Sequence, residues 1–353
     1  MVKKKNKILL VWYGGTIVMV VKDNVVKPAA DVSEIFDMVP RIREFADIDL
    51  KILSNVDSTN VVPEDWTKMS EFLLENREDY DGFIVAHGTN TMSYSASAVA
   101  LALGEDFWKP IVFTGSQLPL TIWGNDGVFN LENSVKVINQ ALEDEIYECM
   151  VVFSDIILKA SRTVKISESS FQAFDSPSSQ HLGHIRSTWV IFSRNFIKDP
   201  APPYKKDYSP ISTKFQTGIV TIDLTPGQNP FIIRSVLNNR ACRGIILKSH
   251  GAGSVPTIGD YSFIPLIEEA TKNINIPVLI STKFVWGNSY KETNDEPAIM
   301  AIKAWAIPTG DLTDAMAEVK LMWLLARGVT DPKDIKNEIV KDYVGEVSEI
   351  EYD

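Results

Sequence analysis

Side chains that could do chemistry come directly after short apolar runs of this sequence. Thr89 and Asn90 follow the run 82–86, and Thr16 lies shortly after the run 8–12. Short apolar runs bounded by turn residues are typical of strands buried on both faces of a parallel sheet, and ligands bind where the carboxyl ends of such strands meet. A hydroxyl placed there can act as a nucleophile when a base lies beside it. The sequence therefore predicts a ligand site at the edge of a sheet.

Further polar groups occupy other predicted loops. Asp57, Ser58 and Thr59 form one cluster, Ser116 follows a later strand, and Lys165 supplies a basic group close to apolar residues. Each group taken alone is explained as well by helix capping or by a structural turn. Their function depends on whether the fold brings them together.

Length, charge and composition exclude several classes of protein. The chain has 353 residues, enough for two domains, and 45% hydrophobic content is ordinary for a globular protein. A net charge of -11 disfavours nucleic acid as a partner. No apolar stretch approaches the roughly 20 residues of a membrane span, and two cysteines make no disulfide framework, so a cytoplasmic location is expected. The histidines lack the spacing of metal ligands, so no metal is expected.

The order of predicted elements indicates an α/β fold in two domains. Strands alternate with helices through the first half, which predicts a larger domain with a mostly parallel sheet between helices. A proline-rich stretch and a smaller α/β pattern follow. We expect an N-terminal domain over 1–198, a linker over 199–215 and a C-terminal α/β domain over 216–353.

Six motifs follow one another along the chain. They are Gly14-Gly15-Thr16-Ile17, Asp57-Ser58-Thr59 with Pro63-Glu64-Asp65-Trp66, His87-Gly88-Thr89-x-Thr91-Met92, Lys109-Pro110 with Thr114-Gly115-Ser116-Gln117, Asp126-Gly127 with Asn130-Leu131, and Arg162-Thr163-x-Lys165. In this order they resemble the bacterial-type L-asparaginase family, most closely its cytoplasmic type I branch. A C-terminal stretch, 310–322, resembles that family as well, so the match covers nearly the whole chain.

The resemblance implies hydrolysis of the side-chain amide of asparagine to aspartate and ammonia, without metal or cofactor. The family uses a threonine nucleophile from each of two clusters, and the catalytic residues that match them are Thr16 and the pair Thr89 with Lys165. Thr89 is then either the attacking group or the residue that positions water, with Lys165 as its proton acceptor. It also implies a homodimer or homotetramer with sites at a subunit interface. The positions that the resemblance assigns to substrate binding are Asp57, Ser58, Thr59, Asn90 and Ser116.

Four positions depart from the family pattern. Asn90 and Asn60 each stand in place of an aspartate, Val26 in place of a tyrosine, and Ser254 in place of an asparagine contributed across the interface. Without a carboxylate at position 90, the pKa of Lys165 should fall, and the α-ammonium of asparagine should lose a partner.

Three interpretations remain open. The first is a divergent amidohydrolase that is slow on asparagine or prefers an amide without an α-ammonium. The second is a catalytically silent binding or regulatory protein of the same fold. The third is that Asn90 is an engineered replacement, which would not explain Val26 or Ser254. An archaeal transamidation subunit shares the domain but carries an extra N-terminal module, and we regard it as disfavoured because Thr16 lies so near the start of this sequence.

Overall fold

The computed structural model describes residues 4–15, 17, 19–22, 25–28, 35–193 and 212–348, with the backbone alone for 19–22 and 25–28. These residues divide into two compact units, one that ends at Thr213 and one that begins at Lys214. Most of the expected linker lies outside the described residues. The domain boundaries therefore stay a prediction, whereas the two-domain α/β fold class is confirmed.

An eight-stranded sheet forms the centre of unit 1. The strands of this unit are β1 Lys7–Trp12, β2 Met19–Lys22, β3 Val25–Pro28, β4 Asp47–Ile52, β5 Gly82–Ala86, β6 Ile111–Thr114, β7 Cys149–Phe153, β8 Ile156–Lys159, β9 Val164–Lys165, β10 Phe174–Asp175, β11 Gly183–Ile185 and β12 Val190–Phe192. The sheet order is β12–β11–β8–β7–β6–β5–β1–β4, and the strands from β4 to β7 are parallel. β8, β11 and β12 extend the sheet through antiparallel pairs. The mostly parallel sheet is thus confirmed.

Two smaller antiparallel pairs flank this sheet, β2 with β3 and β9 with β10. The helices of unit 1 are α1 Ile35–Met38, α2 Ile42–Phe45, α3 Pro63–Glu75, α4 Met92–Leu103 and α5 Gly127–Glu143. The small side chains of α4 allow this helix to be buried on nearly all sides, with Tyr94 half-exposed. Every residue of β5 and β6 is buried as well. The short apolar runs of the sequence therefore form the centre of the core, as strands covered on both faces.

The strand order places a topological switch point between β1 and β5. From β1 the chain continues to β4 on one side, and it then returns to β5 on the other side. The loops after β1 and β5 therefore leave in opposite directions and open a crevice at the carboxyl ends of these strands. Ligands of open α/β sheets bind in such a crevice.

Unit 2 contains a four-stranded parallel sheet in sequential order. Its strands are β13 Ile219–Asp223, β14 Gly244–Ser249, β15 Val278–Thr282 and β16 Ile307–Pro308. Its helices are α6 Pro230–Leu237, α7 Ile264–Glu268, α8 Glu296–Lys303, α9 Asp314–Ala326 and α10 Pro332–Glu338. Leu224, Ile245, Leu247 and Ile280 lie in its apolar core.

Candidate active site

Close backbone contacts at the crevice explain its glycines. Gly15 has φ +97, and a Cβ added there would lie 2.5 Å from the Cα of Gly88. A Cβ added to Gly88 would in turn lie 2.5 Å from the Oγ of Ser58. The loops after β1, β4 and β5 therefore meet only because no side chain separates them. Thr16, which follows Gly15, lies outside the described residues, so its role stays a prediction.

The structure brings Thr89 and Lys165 into direct contact, although they are 76 positions apart in the sequence. Thr89 comes just after β5 and is buried, with 6% of its surface exposed. Lys165 ends β9, and its Nζ lies 2.8 Å from Thr89 Oγ1. A hydroxyl and an amine at this distance can exchange a proton. This is the pair that a nucleophile and its base require.

Asn90 connects Lys165 with the loop after β4. Its Oδ1 accepts a hydrogen bond from Lys165 Nζ at 3.0 Å, and its Nδ2 donates to Thr59 Oγ1 at 3.3 Å. Both polar ends of the amide are used, and neither carries a charge. In the described part of the chain, Lys165 Nζ bonds to the side chains of Thr89 and Asn90, so no carboxylate there shares its proton.

The environment of Lys165 makes its ammonium easier to deprotonate. Desolvation by burial lowers the pKa of Lys165, and the negative charge of Glu168 opposes this shift. A buried ammonium without an ion-pair partner is disfavoured because the interior solvates charge poorly. The lysine is therefore closer to a proton acceptor than an ordinary surface lysine is.

The loop after β4 brings its three predicted binding residues to the same place. Asp57 Oδ1 accepts a hydrogen bond from Thr59 N at 2.8 Å and thereby starts the 3₁₀ turn Ser58–Asn60. Thr91 Oγ1 donates to Ser58 O at 2.7 Å, which ties this turn to the start of α4. Ser58 is 2% exposed, whereas Thr59 is exposed. Asn90 connects this turn with Lys165, because it bonds to both Thr59 and Lys165.

Ser116 lies in the neighbouring loop, but its hydroxyl is already bonded. Its Oγ donates to Leu118 O at 2.7 Å, and the side chain is buried. The carboxylate of Asp126 accepts hydrogen bonds from Gln117 N and Leu118 N at 2.9–3.1 Å. The loop is therefore held rigidly, and Ser116 has acceptor capacity left rather than a free donor.

His87, two residues before Thr89, is completely buried. Its Nδ1 lies 2.8 Å from Gly88 O, so this nitrogen carries the hydrogen, and Nε2 has no partner among the described residues. The ring stacks on Tyr13 with a centroid distance of 6.0 Å, and Tyr13 OH donates to Asp65 Oδ1 at 2.6 Å. Desolvation by burial lowers the pKa of His87 to about 4. The imidazole is therefore neutral at physiological pH.

The other departures from the family pattern lie in different environments. Asn60 is exposed at the end of the 3₁₀ turn, and its backbone N donates to Asp57 O. The backbone of Val26 lies in β3 opposite Val21. Ser254 belongs to unit 2, where its backbone pairs with His250 in a tight loop.

Sequence reasoning assigned no role to Asp126, Thr91 or Tyr13, which hold the loops of the crevice. Asp126 and Thr91 belong to the motifs, but a carboxylate near a helix start and a threonine before a helix have common capping explanations. Only the fold shows that Asp126 binds the loop after β6 and that Thr91 binds the loop after β4.

Two further features are absent from the described residues. No three histidine, cysteine, aspartate or glutamate side chains in the described ranges are grouped so that they could hold a metal ion. No helix within these ranges is long and apolar enough to cross a membrane.

Comparison with known proteins assigns both units to one family. Residues 7–198 match the family described as "Asparaginase, N-terminal", and residues 219–338 match "Glutaminase/Asparaginase C-terminal domain".

Curated relatives cover most of the chain at about 30% identity. The L-asparaginase of Thermococcus kodakarensis is 29% identical over 97% of this chain and 99% of its own, and its solved structure superposes with a TM-score of 0.86. L-asparaginase 1 of Escherichia coli K12 is 31% identical over 83% of this chain and 82% of its own. A glutamyl-tRNA(Gln) amidotransferase component of Saccharolobus solfataricus is 30% identical over 98% of this chain and 77% of its own. Overall identity therefore does not separate the two activities.

Proposed function

The chain belongs to the asparaginase family of amidohydrolases, and from this premise we propose that it hydrolyses the side-chain amide of L-asparagine, or of a related small amide, to the carboxylate and ammonia. The observation that carries the proposal is the 2.8 Å contact between Lys165 Nζ and Thr89 Oγ1. No other role explains as simply why a half-buried amine that bonds to uncharged side chains faces a buried hydroxyl.

In the proposed reaction, Thr89 is the nucleophile and Lys165 is the base. The neutral amine of Lys165 takes the hydroxyl proton while Thr89 Oγ1 attacks the amide carbon. The C–N bond then breaks, and the ammonium of Lys165 returns the proton to the departing nitrogen, which leaves as ammonia. Water hydrolyses the ester on Thr89 with Lys165 again as the base.

Backbone donors near Thr89 support stabilisation of the oxyanion. α4 begins at Met92, and Thr91, which precedes it, uses its hydroxyl on Ser58 O rather than on the first turn of the helix. The first N–H groups of a helix have no intrahelical partner and bear partial positive charge. We infer that these donors, together with Thr16, complete the reactive centre.

The loop Asp57–Thr59, with Asn90 and Ser116, is the proposed substrate-binding surface. Ser58 is assigned to the α-carboxylate of the substrate, and Ser116 contributes an acceptor oxygen from its rigid loop. Asp57 supplies a carboxylate, but one of its oxygens already accepts from Thr59 N. Because Asn90 adds no second negative charge, we expect weak binding of asparagine and better relative use of amides that lack the α-ammonium.

We further propose, on the resemblance, a cytoplasmic homodimer or homotetramer that needs neither metal nor cofactor. The neutral amide at position 90 also favours a second candidate, a silent binding protein. The Thr89–Lys165 contact argues for the enzyme, because a binding protein has no need of a base beside a hydroxyl.

An ammonia-release assay tests the proposal. Purified protein is incubated separately with L-asparagine, L-glutamine and succinamate, which is asparagine without its α-amine. We expect ammonia from at least one of the three, loss of release in Thr89→Val, and partial release in Thr89→Ser, which keeps a hydroxyl.

The other outcomes are equally informative. Unchanged release in Thr89→Val would remove Thr89 from its role. Saturable binding of an amide without any ammonia would favour the silent protein. Release that requires addition of aminoacyl-tRNA would favour the amidotransferase activity that the name of the Saccharolobus solfataricus relative states.

A further inference from the structure

Lys165, the lysine of the candidate site, lies on a strand that is too short to be stable without contacts from other elements. β9 consists of Val164 and Lys165, and its partner β10 places Phe174 opposite Lys165. Two further bonds extend the pair, because Ala173 O accepts from Ile166 N at 2.8 Å and from Ser167 N at 3.3 Å. An isolated two-stranded pair is marginally stable in water. The position of Lys165 therefore depends on what holds β10.

Two contacts attach β10 to the surrounding core. The ring of Phe174 is buried, and its centroid lies 4.9 Å from that of Phe153 at the end of β7. Ser176 Oγ, just after β10, donates to Arg162 O at 3.1 Å. The first contact joins β10 to the large sheet, whereas the second stays within the segment that also carries Lys165.

A third contact joins β10 to the far edge of the large sheet. His181 Nε2 lies 2.7 Å from Asp175 Oδ1, and since a carboxylate can only accept, Nε2 carries the hydrogen. His181 precedes Leu182, which is buried in the main core. Ser193 N donates to Leu182 O at 2.8 Å, and Ser193 Oγ donates to His181 O at 3.1 Å. The imidazole is thus anchored to the sheet, and Asp175 is anchored to the imidazole.

The geometry excludes direct participation of Asp175 in proton transfer from Thr89. Opposite residues of an antiparallel pair share a face, and successive residues alternate. Asp175 is opposite Val164, so its side chain lies on the face away from that of Lys165. Any effect of Asp175 on the amine must pass through the backbone of β9 and β10.

We propose that Asp175 and His181 are positioning residues that hold β9 so that Lys165 Nζ stays within hydrogen-bonding distance of Thr89 Oγ1. This inference rests on the proposed function. Each side chain of the pair is about one quarter exposed, at 25% and 26%. A charge-assisted hydrogen bond that is largely shielded from water is stronger than a surface ion pair.

Paired variants test this role. His181→Phe removes the donor, whereas His181→Gln keeps an N–H group; Asp175→Ala removes the acceptor, whereas Asp175→Asn keeps an oxygen. The control is His184→Gln, because the His184 ring packs on that of His181 at 5.2 Å and is not the partner of Asp175. Two quantities are measured for each variant, the steady-state constants for ammonia release and the hydrogen-exchange rate of the Ile166 amide.

We expect His181→Phe and Asp175→Ala to lower kcat about ten-fold or more while KM changes less than about two-fold, because the base is misplaced but the binding surface is intact. The Ile166 amide should exchange faster in the same two variants. His181→Gln and Asp175→Asn should recover most of both quantities, and His184→Gln should resemble the parent protein.

Two results would overturn the inference. Unchanged exchange at Ile166 in His181→Phe would mean that the pair does not hold β9, and faster exchange with unchanged kcat would mean that β9 does not control the base. Failure of the proposed function is recognised separately, since it leaves the parent protein without ammonia release while the exchange rates can still be compared.

Discussion

The lysine near the crevice of unit 1 and the lysines at the strand ends of unit 2 have different hydrogen-bond partners. In unit 1, Lys165 reaches the crevice and bonds to uncharged groups. In unit 2, Lys248 at the end of β14 forms an ion pair with Asp314 at 2.6 Å, and Lys283 just after β15 forms one with Asp223 at 2.8 Å. The amines therefore differ in the charge of the side chains that they contact.

For this reason the pKa of Lys165 is lowered, whereas the pKa of Lys248 is raised. Burial lowers the pKa of Lys165, with only the charge of Glu168 opposing it. Burial also acts to lower the pKa of Lys248, but the hydrogen bond and charge of Asp314, with Asp223 and Glu318, outweigh it and raise the pKa. A paired amine is a fixed cation, whereas an amine bonded to neutral groups in a partly buried place can accept a proton. The direction of the pKa shift therefore supports the proposed role of Lys165 and distinguishes Lys165 from Lys248.

Replacing each lysine by methionine should give the largest contrast. Lys165→Met removes the base and should lower kcat for ammonia release about 10²–10⁴-fold. Lys248→Met should leave kcat within about two-fold and should instead lower the melting temperature, because it leaves Asp314 without its partner. Steady-state kinetics and a thermal melt of both variants check this. Equal losses of kcat in the two variants would contradict the different roles that we expect for Lys165 and Lys248.

The buried imidazole of His87 should make unit 1 sensitive to acid. Its pKa is lowered to about 4 in the folded protein, whereas an unfolded histidine titrates near 6.5. The unfolded chain thus binds the proton first, and the stability present above about pH 6.5 should decline by about 3 kcal/mol as the pH falls towards 4. Urea titrations across this range measure the slope.

The control for this slope is His87→Phe, which keeps a ring against Tyr13 but cannot titrate. We expect its stability to fall less steeply between about pH 6.5 and about pH 4. The slope is the relevant quantity, since loss of the bond to Gly88 O shifts the stability at every pH. Parallel slopes would show that another group causes the acid sensitivity.

Giving Lys165 a carboxylate neighbour should make its surroundings resemble those of Lys248, which is paired with Asp314. Asn90→Asp should lower KM for L-asparagine about ten-fold, because an ammonium bonded to a carboxylate gains about 1.5 kcal/mol. It should leave KM for succinamate nearly unchanged. It should also raise the pKa of Lys165, so the acid limb of the kcat profile moves to higher pH. Equal effects on both substrates would mean that the α-ammonium is not bound near position 90.

The smallest effect is expected in unit 2. Asp314→Asn keeps an oxygen for Lys248 but removes the charge, and the pair is too exposed for a large effect. We expect less than about 1 kcal/mol of lost stability, a lower pKa for Lys248 and unchanged ammonia release. Proton-detected titration of Lys248 together with a urea melt measures the first two. A change in ammonia release would mean that the Asp314–Lys248 pair takes part in catalysis.

The sequence predicts the fold well where one local rule decides the structure. Short apolar runs became buried strands, and Pro63 with acidic neighbours starts α3 as capping rules require. Helix α7 is less regular, since it continues at Glu269 into a π-helical turn in which Thr271 Oγ1 donates to Ile267 O. Such a change depends on local side-chain bonds that periodicity does not encode.

Motif order predicts the residues of the candidate site but not their arrangement. Motif order named Thr89, Lys165 and Asn90, yet only the fold shows that Asn90 bonds both Lys165 and Thr59. The Asp175–His181 pair has no signal in the sequence, because the path of the chain between β10 and β11 decides which side chains of this stretch meet. The two contacts of Asn90 are long-range, and they arise from the packing of the whole unit.

The most direct test of the central claim compares the protonation of Lys165 and Lys248 in the same sample. The protein is treated briefly with acetic anhydride over a series of pH values, and mass spectrometry measures the acetylated fraction at each lysine, since only the neutral amine reacts. We predict that Lys165 becomes reactive at a distinctly lower pH than Lys248. Coincident curves, or a curve for Lys165 at higher pH, would contradict the proposal that Lys165 is the base.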